Sequence, residues 1–216
     1  MMKKKEDIII LGTGGHSKVV IDIIEAGDLY NIIGITDASI DETTLYRGYP
    51  ILGNDDVLLD YLKKGVTNVA IGVGGFRNNN NRKRIFNKVK LMGYNIPVLI
   101  HPSAVISNSV VLKEGSVIFS GVNINTDVTI GENNIIATGA NIDHDTILRD
   151  HVLISAGVTI GGNVEIANEV LCALGSNIIS GVKINEKIVV GAGAVVVNNL
   201  LENGTYIGCP AKLMKK

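Results

Sequence analysis

One of the four histidines in this chain stands between two carboxylates, in the run Asp143-His144-Asp145. A neutral imidazole can remove a proton near neutral pH. A carboxylate bonded to one ring nitrogen fixes the tautomer and raises the basicity of the other nitrogen. The run therefore predicts a general base, His144, oriented by Asp145. A solvent-exposed or interface histidine on a turn also fits these residues.

A second group of candidate residues follows the apolar run at 8–11. Glycine-rich turns between a strand and a helix hold phosphates with backbone N–H groups. This turn lacks the third glycine of the dinucleotide fingerprint, so a nucleotide-sugar fits it better than a nicotinamide does. A purely structural turn is the alternative. The candidate substrate-binding residues here are Gly12, Gly14, Gly15 and His16.

Two further segments are predicted to reach the same edge of a sheet. Asp37 follows the second predicted strand, where its carboxylate can accept hydrogen bonds from a ribose or a base. Gly72 and Gly74 follow a later strand. Because open α/β sheets bind ligands at the carboxyl ends of their strands, we expect all three residues in the substrate site. A helix-capping Asp and structural turn glycines are the simpler alternative.

A small α/β domain is needed to position these segments. Strand-like and helix-like segments alternate over residues 7–97, which favours a parallel sheet covered by helices. Strands are predicted at 8–11, 32–36, 68–73 and 95–100, and helices after the glycine turn, at 55–64 and at 81–92.

The stretch that carries His144 repeats every six residues. A six-residue period fits neither a helix nor an ordinary strand and is typical of a parallel β-helix. Gly131, Gly161, Gly175 and Gly191 are expected at tight corners with positive φ. The apolar residue of each hexad is Ile100, Ile106, Leu112, Ile118, Ile124, Ile130, Ile136, Ile142, Leu148, Ile154, Ile160, Ile166, Cys172, Ile178, Ile184, Val190 or Val196.

Composition excludes several classes of protein. Lys and Arg total 20 against 21 Asp and Glu, and there is no Trp, so nucleic-acid binding is not expected. No apolar run approaches the ~20 residues of a membrane span, and the run at 8–11 is too short for a secretion signal. Cys172 in the repeat and Cys209 near the end suit a reducing compartment. We therefore expect a cytoplasmic protein without a membrane span.

Four features together carry a family resemblance: the Gly-x-Gly-Gly-His turn, the junction Ile-His-Pro-Ser-Ala at 100–104, the hexapeptide repeat, and Gly-Cys-Pro-Ala-Lys at 208–212. With them the chain resembles, over nearly its whole length, the hexapeptide-repeat sugar O- and N-acyltransferases. That group includes the sialic acid O-acetyltransferases and the bacillosamine-pathway UDP-amino-sugar N-acetyltransferase. The resemblance implies a Rossmann-like domain at 1–98 that binds a nucleotide-sugar. It also implies a left-handed β-helix with a short C-terminal cap at 99–216 that binds acetyl-CoA, in a homotrimer without a metal.

The same resemblance implies the reaction. Acetyl-CoA would acetylate the amine of a UDP-4-amino-sugar type of substrate in surface-glycan or exopolysaccharide biosynthesis, with His144 as general base and Asp145 as its orienter. Family members often carry a second histidine where this chain has Leu153, so backbone N–H groups are expected to polarise the thioester carbonyl instead. The residues implied for the coenzyme and its carbonyl are Ala156, Gly157, Gly162, Leu174, Ala192 and Lys212.

Three alternatives stay open. The acceptor could be a hydroxyl of a sialic-acid-like sugar, or the chain could be a non-catalytic scaffold that binds a sugar nucleotide. A β-helical carbonic anhydrase needs three zinc-binding histidines, and only His144 and His151 lie in the middle of the repeat. We expect His101 to be structural and His151 to lie on the surface.

Overall fold

The computed structural model describes residues 5–28, 30–75 and 79–214, which form two compact units. One unit contains 5–28, 30–75 and Asn80–Pro102, and the other contains Asn79 and residues 103–214. The units change after residue 102, close to the predicted boundary after residue 98. Within the described residues, no helix is long and apolar enough to cross a membrane.

The first unit is a small α/β domain built on a parallel sheet. In chain order it contains β1 (Glu6–Leu11), α1 (Gly15–Gly27), β2 (Tyr30–Thr36), β3 (Leu45–Tyr46), β4 (Tyr49–Pro50), a 3₁₀ turn (Asp55–Val57), α2 (Leu58–Lys63), β5 (Asn68–Ile71), α3 (Asn80–Leu91) and β6 (Leu99–Ile100). Strand β1 lies between β2 and β5 and pairs parallel with both. Its run from Ile8 to Leu11 is buried throughout, as expected for the central strand of a sheet covered on both faces.

The predicted α/β pattern is confirmed, with two corrections. The strand predicted at 95–100 is wrong over most of its length, because only Leu99–Ile100 is a strand there. The stretch between β2 and α2 contains an antiparallel hairpin, β3–β4, which the sequence did not predict. Two-residue strands bury little apolar surface of their own, so they leave a weak pattern in the sequence.

Helix α3 buries an unexpected residue on its apolar face. Ile85, Phe86 and Val89 are buried at the spacing of one helix face, and Arg82 extends the same face by one turn and is also fully buried. A buried guanidinium is uncommon, since charged groups are costly to remove from water unless their hydrogen bonds are satisfied.

The second unit is a β-solenoid of short strands. The strands are β7 (Val105–Ile106), β8 (Val111–Leu112), β9 (Val117–Ile118), β10 (Asn123–Ile124), β11 (Thr129–Ile130), β12 (Ile135–Ile136), β13 (Asn141–Ile142), β14 (Ile147–Leu148), β15 (Leu153–Ile154), β16 (Thr159–Ile160), β17 (Glu165–Ile166), β18 (Leu171–Cys172), β19 (Asn177–Ile178), β20 (Lys183–Ile184), β21 (Val189–Val190), β22 (Val195–Val196), β23 (Thr205–Ile207) and β24 (Lys212–Leu213).

These strands stack into three parallel sheets. One sheet runs from β7 through β10, β13, β16 and β19 to β22, a second from β8 to β20, and a third from β9 through β21 to β23, with β24 added antiparallel. Successive strands of a sheet pair at an offset of one coil, as in Asn123 with Asn141 and Asn141 with Thr159. Three hexads therefore make one coil.

The apolar residue of each hexad points inward from Ile118 onward, and each of these residues is at most 3% exposed. The first predicted member, Ile100, is an exception at 39% exposed. Asn134 is a polar residue inside the solenoid, and its side-chain amide donates to the Gly131 carbonyl at 3.0 Å and to the Arg149 carbonyl at 2.9 Å. The ladder thus forms the continuous core that the repeat predicts.

The corners of the solenoid differ from the prediction. Of the four glycines expected to need positive φ, only Gly175 has it. Gly131, Gly161 and Gly191 instead lie where a Cβ atom would come within 2.3, 2.6 and 2.7 Å, respectively, of the next coil. The positive-φ residues form three columns: Gly121, Gly139, Gly157, Gly175 and Gly193 in the glycine column; Asp127, Asp145, Asn163 and Gly181 in the acidic column; and Gly115, Asn133, His151, Glu169 and Lys187 in the third column.

Candidate active site

His144 lies immediately before a corner of the solenoid. Strand β13 ends with the inward Ile142, and Asp145 takes the left-handed conformation at φ 57° in the acidic column. Asp tolerates this conformation better than most residues because its short side chain can bond locally. The Asp145 N–H also donates to the Thr126 carbonyl of the preceding coil at 3.2 Å. The stacked coils therefore fix the place where the imidazole leaves the backbone.

The two flanking carboxylates hold His144 in different ways. Asp145 Oδ2 lies 2.8 Å from His144 Nδ1. Asp143 Oδ1 accepts from the His144 backbone N–H at 2.9 Å and from Asn125 Nδ2 at 2.8 Å. Since a carboxylate can only accept, Nδ1 carries the proton and Nε2 keeps the lone pair of the neutral ring. The predicted pairing of His144 with Asp145 is present in the structure.

This arrangement makes His144 more basic. The hydrogen bond that His144 donates to Asp145, with the charge of Asp143 next in importance, raises the pKa of His144 above its usual range. The side chain is 46% exposed, so the ring is open to a ligand. A half-exposed imidazole with a fixed tautomer and a raised pKa can act as a general base.

Gly162 forms a surface beneath the His144 ring. It occupies the place in the next coil that corresponds to His144, and the Asn163 N–H after it donates to the His144 carbonyl at 2.9 Å. A Cβ atom on Gly162 would lie 2.6 Å from His144 Cε1 and 2.7 Å from Nε2. The imidazole therefore occupies space that only glycine leaves open. The coenzyme contact predicted for Gly162 remains a prediction.

We expect Asp145→Asn to change the pH dependence of the reaction in a defined direction. A neutral amide keeps an acceptor oxygen but loses the negative charge, which weakens the main interaction that raises the His144 pKa, so the acidic limb of the kcat profile should move to lower pH. The plateau rate should fall by ~10- to 100-fold, because the orienting partner of a functional imidazole is weakened. Initial rates across pH, with both substrates saturating, measure both effects.

Asp143→Asn is the matched control for this prediction. It removes one negative charge near the ring but keeps an oxygen that can accept from the His144 N–H. The acidic limb should again move to lower pH while the plateau rate changes little. Equal plateau losses in the two variants would contradict an orienting role for Asp145.

Three of the predicted coenzyme residues share one column of the solenoid. A residue of the glycine column directly follows each of Ala156, Leu174 and Ala192. The glycine column and the acidic column lie at opposite ends of the strands in the β7–β22 sheet. Leu174 is 62% exposed, as a ligand or subunit contact would require. The Gly157 N–H donates to the Thr138 carbonyl at 3.0 Å, so that amide is already used within the solenoid.

The outer face of the β7–β22 sheet carries a groove of about 460 Å³. Its floor contains Asn123, Asn141 and Thr159, and Asp143 and Gly161 line the end next to His144. Asn123 Nδ2 donates to Asn141 Oδ1 at 2.9 Å, so amide side chains form part of a ladder along this face. The groove runs along the strands that lie between the His144 corner and the glycine column. Lys212, on β24, is exposed.

The first unit has its own cavity of about 390 Å³ at the carboxyl ends of its strands. Gly12 and Asp37 line it, together with Arg84 and Lys88 from α3 and Asp55, and their contact with a substrate remains a prediction. Lys88 Nζ lies 3.5 Å from Asp55 Oδ2. The cavity thus offers both cationic and anionic groups to a polar ligand.

The predicted substrate-site glycines fall into two classes. At Gly12, Gly72 and Gly74 a Cβ atom would come within 2.8, 2.8 and 2.9 Å of Val73, Gly12 and His16, respectively, so these glycines let the two loops touch. Gly14 and Gly15, where α1 begins, have no atom within 4 Å of such a Cβ. Helix α1 has no side-chain cap and no acidic residue in its first turn. Its first N–H groups are therefore suited to an anion, and ligand contacts remain predictions for all five glycines.

Asp37 is bonded at both carboxylate oxygens by the protein itself. Oδ2 accepts from the Thr13 N–H at 3.0 Å and from the Thr13 hydroxyl, and Oδ1 accepts from the Ser39 N–H at 2.8 Å and hydroxyl at 2.6 Å. Partial burial acts to raise the Asp37 pKa, but the bonds from Ser39 and Thr13 outweigh it and lower the pKa. Asp37 therefore fixes the glycine turn, and its contact with a ribose or base stays a prediction.

The other histidines have different surroundings. His101 Nε2 lies 3.9 Å from Asp22 Oδ2. His151, predicted on the surface, is only 9% exposed, so that prediction is wrong. Its ring Nδ1 lies 3.0 Å from Asn133 Nδ2, and its carbonyl accepts from Asn79 Nδ2 at 2.9 Å. Leu153, which takes the place expected for a second histidine, is 7% exposed.

Sequence reasoning missed three residues at these sites. Asp143 was considered only as a neighbour of His144, although its carboxylate bonds the His144 N–H. Tyr46, on the hairpin, donates its hydroxyl to the Gly14 carbonyl at 3.2 Å. Arg82 approaches His16, and its spacing with Ile85, Phe86 and Val89 was the available signal for burial. In the described ranges no group of three or more His, Cys, Asp or Glu side chains could hold a metal ion.

Comparison with known proteins gives relatives for both units. The family model described as the PglD N-terminal domain matches residues 7–89. A variant of GDP-perosamine N-acetyltransferase from Caulobacter crescentus, solved with CoA and GDP-perosamine, is 34% identical; the alignment covers 97% of each chain with a TM-score of 0.91. The acetyltransferase domain of PglB from Neisseria gonorrhoeae, in complex with acetyl coenzyme A, is 29% identical over 98% of this chain and 100% of that one, with a TM-score of 0.89.

A curated relative gives a partial match. UDP-N-acetylbacillosamine N-acetyltransferase from Bacillus subtilis is 31% identical over 117 residues, which are 53% of this chain and 52% of the relative. The match thus spans about half the length of that protein. The solved structures match over both units, and the solenoid is the predicted left-handed β-helix.

Proposed function

The chain belongs to the hexapeptide-repeat sugar N-acetyltransferases, and we propose that it transfers the acetyl group of acetyl-CoA to the amine of a nucleotide-activated amino sugar. The proposed substrate is of the UDP-4-amino-sugar type, in surface-glycan or exopolysaccharide biosynthesis. The observation that carries the proposal is the His144–Asp145 contact of 2.8 Å on a solenoid whose relatives were solved with CoA or acetyl coenzyme A.

His144 is proposed to act at Nε2, the ring nitrogen that keeps a lone pair. The sugar amine attacks the thioester carbonyl, so a C–N bond forms and Nε2 takes the proton that the nitrogen loses. The tetrahedral intermediate then breaks its C–S bond, and CoA leaves as a thiol when the imidazolium returns the proton. Asp145 stabilises the imidazolium between these steps.

Each unit is proposed to bind one substrate. The first unit would hold the nucleotide-sugar at the 390 Å³ cavity and the open start of α1, where Gly14 and Gly15 leave backbone N–H groups exposed. The solenoid would hold acetyl-CoA along the part of the glycine column from Gly157 to Gly193, with contacts from Ala156, Leu174 and Ala192. These contacts would be to the backbone for the most part, which suits the small side chains of Ala156, Ala192 and the glycines.

We propose that the chain forms a homotrimer and that this homotrimer is located in the cytoplasm. Support for an assembly comes from exposed aliphatic side chains on the solenoid, including Val105 at 67%, Val111 at 52% and Leu201 at 64%. Large aliphatic side chains of this kind are suited to subunit contacts. The two free cysteines and the use of acetyl-CoA favour a reducing compartment.

Acceptor chemistry is tested by a matched panel of substrates. The protein is incubated with acetyl-CoA and either UDP- or GDP-4-amino sugars, their 4-hydroxy counterparts, or free sialic acids, and the products are identified by mass spectrometry. Thiol reagents are avoided, since the exposed Cys209 would also react. We expect acetylation of the amino sugars alone. Acetylation of only the sialic acids would establish the alternative O-acetyltransferase, and no acetylation of any acceptor would favour a binding scaffold.

A further inference from the structure

Arg82 is a buried cation directly behind the start of α1. The residue is fully buried, and its Nη1 lies 2.8 Å from the Ile71 carbonyl and 3.0 Å from the Val73 carbonyl. The same nitrogen lies 3.2 Å from His16 Nε2. Burial lowers the Arg82 pKa to about 9, which leaves the guanidinium charged at neutral pH. One side chain of α3 thus contacts both the end of β5 and the first turn of α1.

The contact with Arg82 determines the tautomer of His16. A guanidinium nitrogen can donate but cannot accept, so the close contact requires that His16 Nε2 carry no proton. The proton of the neutral ring is then on Nδ1. Burial, together with the charge of Arg82, lowers the His16 pKa to about 3, so the ring stays neutral under physiological conditions.

The same contacts hold the two glycine loops together. Arg82 bonds the carbonyls on either side of Gly72, and the Gly72 N–H donates to the Leu11 carbonyl at 2.8 Å. A Cβ atom on Gly74 would lie 2.9 Å from the His16 side chain. Loops packed this closely keep their relative position only while their bonding partners stay in place.

We propose that Arg82 is a positioning residue of the nucleotide-sugar site, which from α3 holds His16 and both glycine loops in the arrangement that receives a nucleoside diphosphate. This inference rests on the proposed function, because it takes the ligand of the first unit to be a sugar nucleotide. The positive charge of Arg82 is enclosed behind the start of α1. It adds to the favourable potential for phosphate that the first N–H groups of α1 create.

An arginine suits this role better than a lysine. A planar guanidinium presents several donors in a fixed geometry, whereas an ammonium is a point charge on a flexible stem. Arg82→Lys should therefore keep the charge and the fold but lose the simultaneous contacts. Arg82→Met should also lose the charge.

Calorimetric titration with UDP and with GDP tests the proposal without depending on turnover. We expect Arg82→Lys to weaken the binding of the preferred nucleotide by ~10-fold, and Arg82→Met by more. Lys90→Gln removes a surface cation from the same helix and should leave the affinity unchanged. The kcat with saturating substrates should stay close to that of the native protein in Arg82→Lys, whereas the KM for the nucleotide-sugar should rise.

Nitrogen NMR of the native protein gives a second measurement that does not need a folded variant. With ¹⁵N-labelled histidine, assigned by means of His16→Gln, we expect His16 as the Nδ1–H tautomer with no titration between about pH 5 and about pH 8. An Nε2–H tautomer would overturn the proposal, as would unchanged nucleotide affinity in folded Arg82→Lys. Native protein that binds neither nucleotide would instead overturn the proposed function of the first unit, and this role with it.

Discussion

Replacing His144 by alanine should lower turnover by ~10²- to 10⁴-fold while the protein stays folded. The imidazole is the group whose Nε2 would remove the proton from the sugar amine, and the neighbouring Asp143 and Asp145 carry carboxylates, which are weaker bases than an imidazole. The side chain is 46% exposed at a corner, so its removal leaves no buried cavity. Single-turnover rates with saturating acetyl-CoA measure the chemical step directly.

A matched histidine replacement separates the loss of the base from a general effect. His101→Ala removes an imidazole whose Nε2 lies 3.9 Å from Asp22 Oδ2 in the first unit. Its turnover should stay within about twofold of the native value. Native turnover in His144→Ala would remove the base assignment, and a similar loss in both variants would point to folding instead.

The architecture of the second unit could be predicted because the same six-residue pattern recurs many times in the sequence. Each hexad carries one apolar residue at the same position, and seventeen hexads without an insertion leave one register in which they can stack. The same register placed His144 and Asp145 together at one corner. His144 and Asp145 are adjacent in the sequence, on a turn that the neighbouring coils fix. Their pairing could therefore be predicted without knowledge of long-range contacts.

The backbone conformation at the corners was less predictable, since glycine can occur there for either of two physical reasons. A positive φ is one, and it applies to Gly157 or Gly175; contact with the next coil is the other, and it applies to Gly131 or Gly161. A single sequence does not distinguish them. Asp145 and His151 show the converse, that a residue with a Cβ can take the left-handed conformation when the coil below accepts its N–H or packs against it.

The nucleotide side was predictable in location but not in detail. A glycine turn after a first strand locates the carboxyl edge of the sheet, and the 390 Å³ cavity is found there. The sequence could not show that Asp37 uses both oxygens on Thr13 and Ser39, because those bonds depend on where two loops meet. Arg82 was recognisable only as a charged residue at a core position of α3.

The last prediction concerns Gly162, where a single methyl group should act on catalysis more than on stability. Gly162 does not have a positive φ, so Gly162→Ala brings no backbone strain. The new Cβ, however, would lie 2.6 Å from His144 Cε1, which is about 1 Å closer than ordinary contact between carbon atoms. The imidazole must move, and its 2.8 Å bond to Asp145 must lengthen. A displacement of about 1 Å at a reacting group can lower the rate by ~10²-fold.

Gly121→Ala is the control for Gly162→Ala, because we expect it to lower stability and to leave catalysis unchanged. Gly121 has φ 67°, and a Cβ atom there would have no neighbour closer than 4.0 Å, so alanine should cost about 1 to 2 kcal/mol of stability and leave His144 in place. We expect Gly162→Ala to keep its melting temperature, lose kcat and shift the acidic limb of its pH profile downward as the bond to Asp145 weakens. Gly121→Ala should have a lower melting temperature and a native kcat.

A higher KM for acetyl-CoA in Gly162→Ala, with kcat and pH profile unchanged, would contradict this prediction. It would instead identify Gly162 as a coenzyme contact, because a group that only binds the coenzyme changes affinity without moving the base.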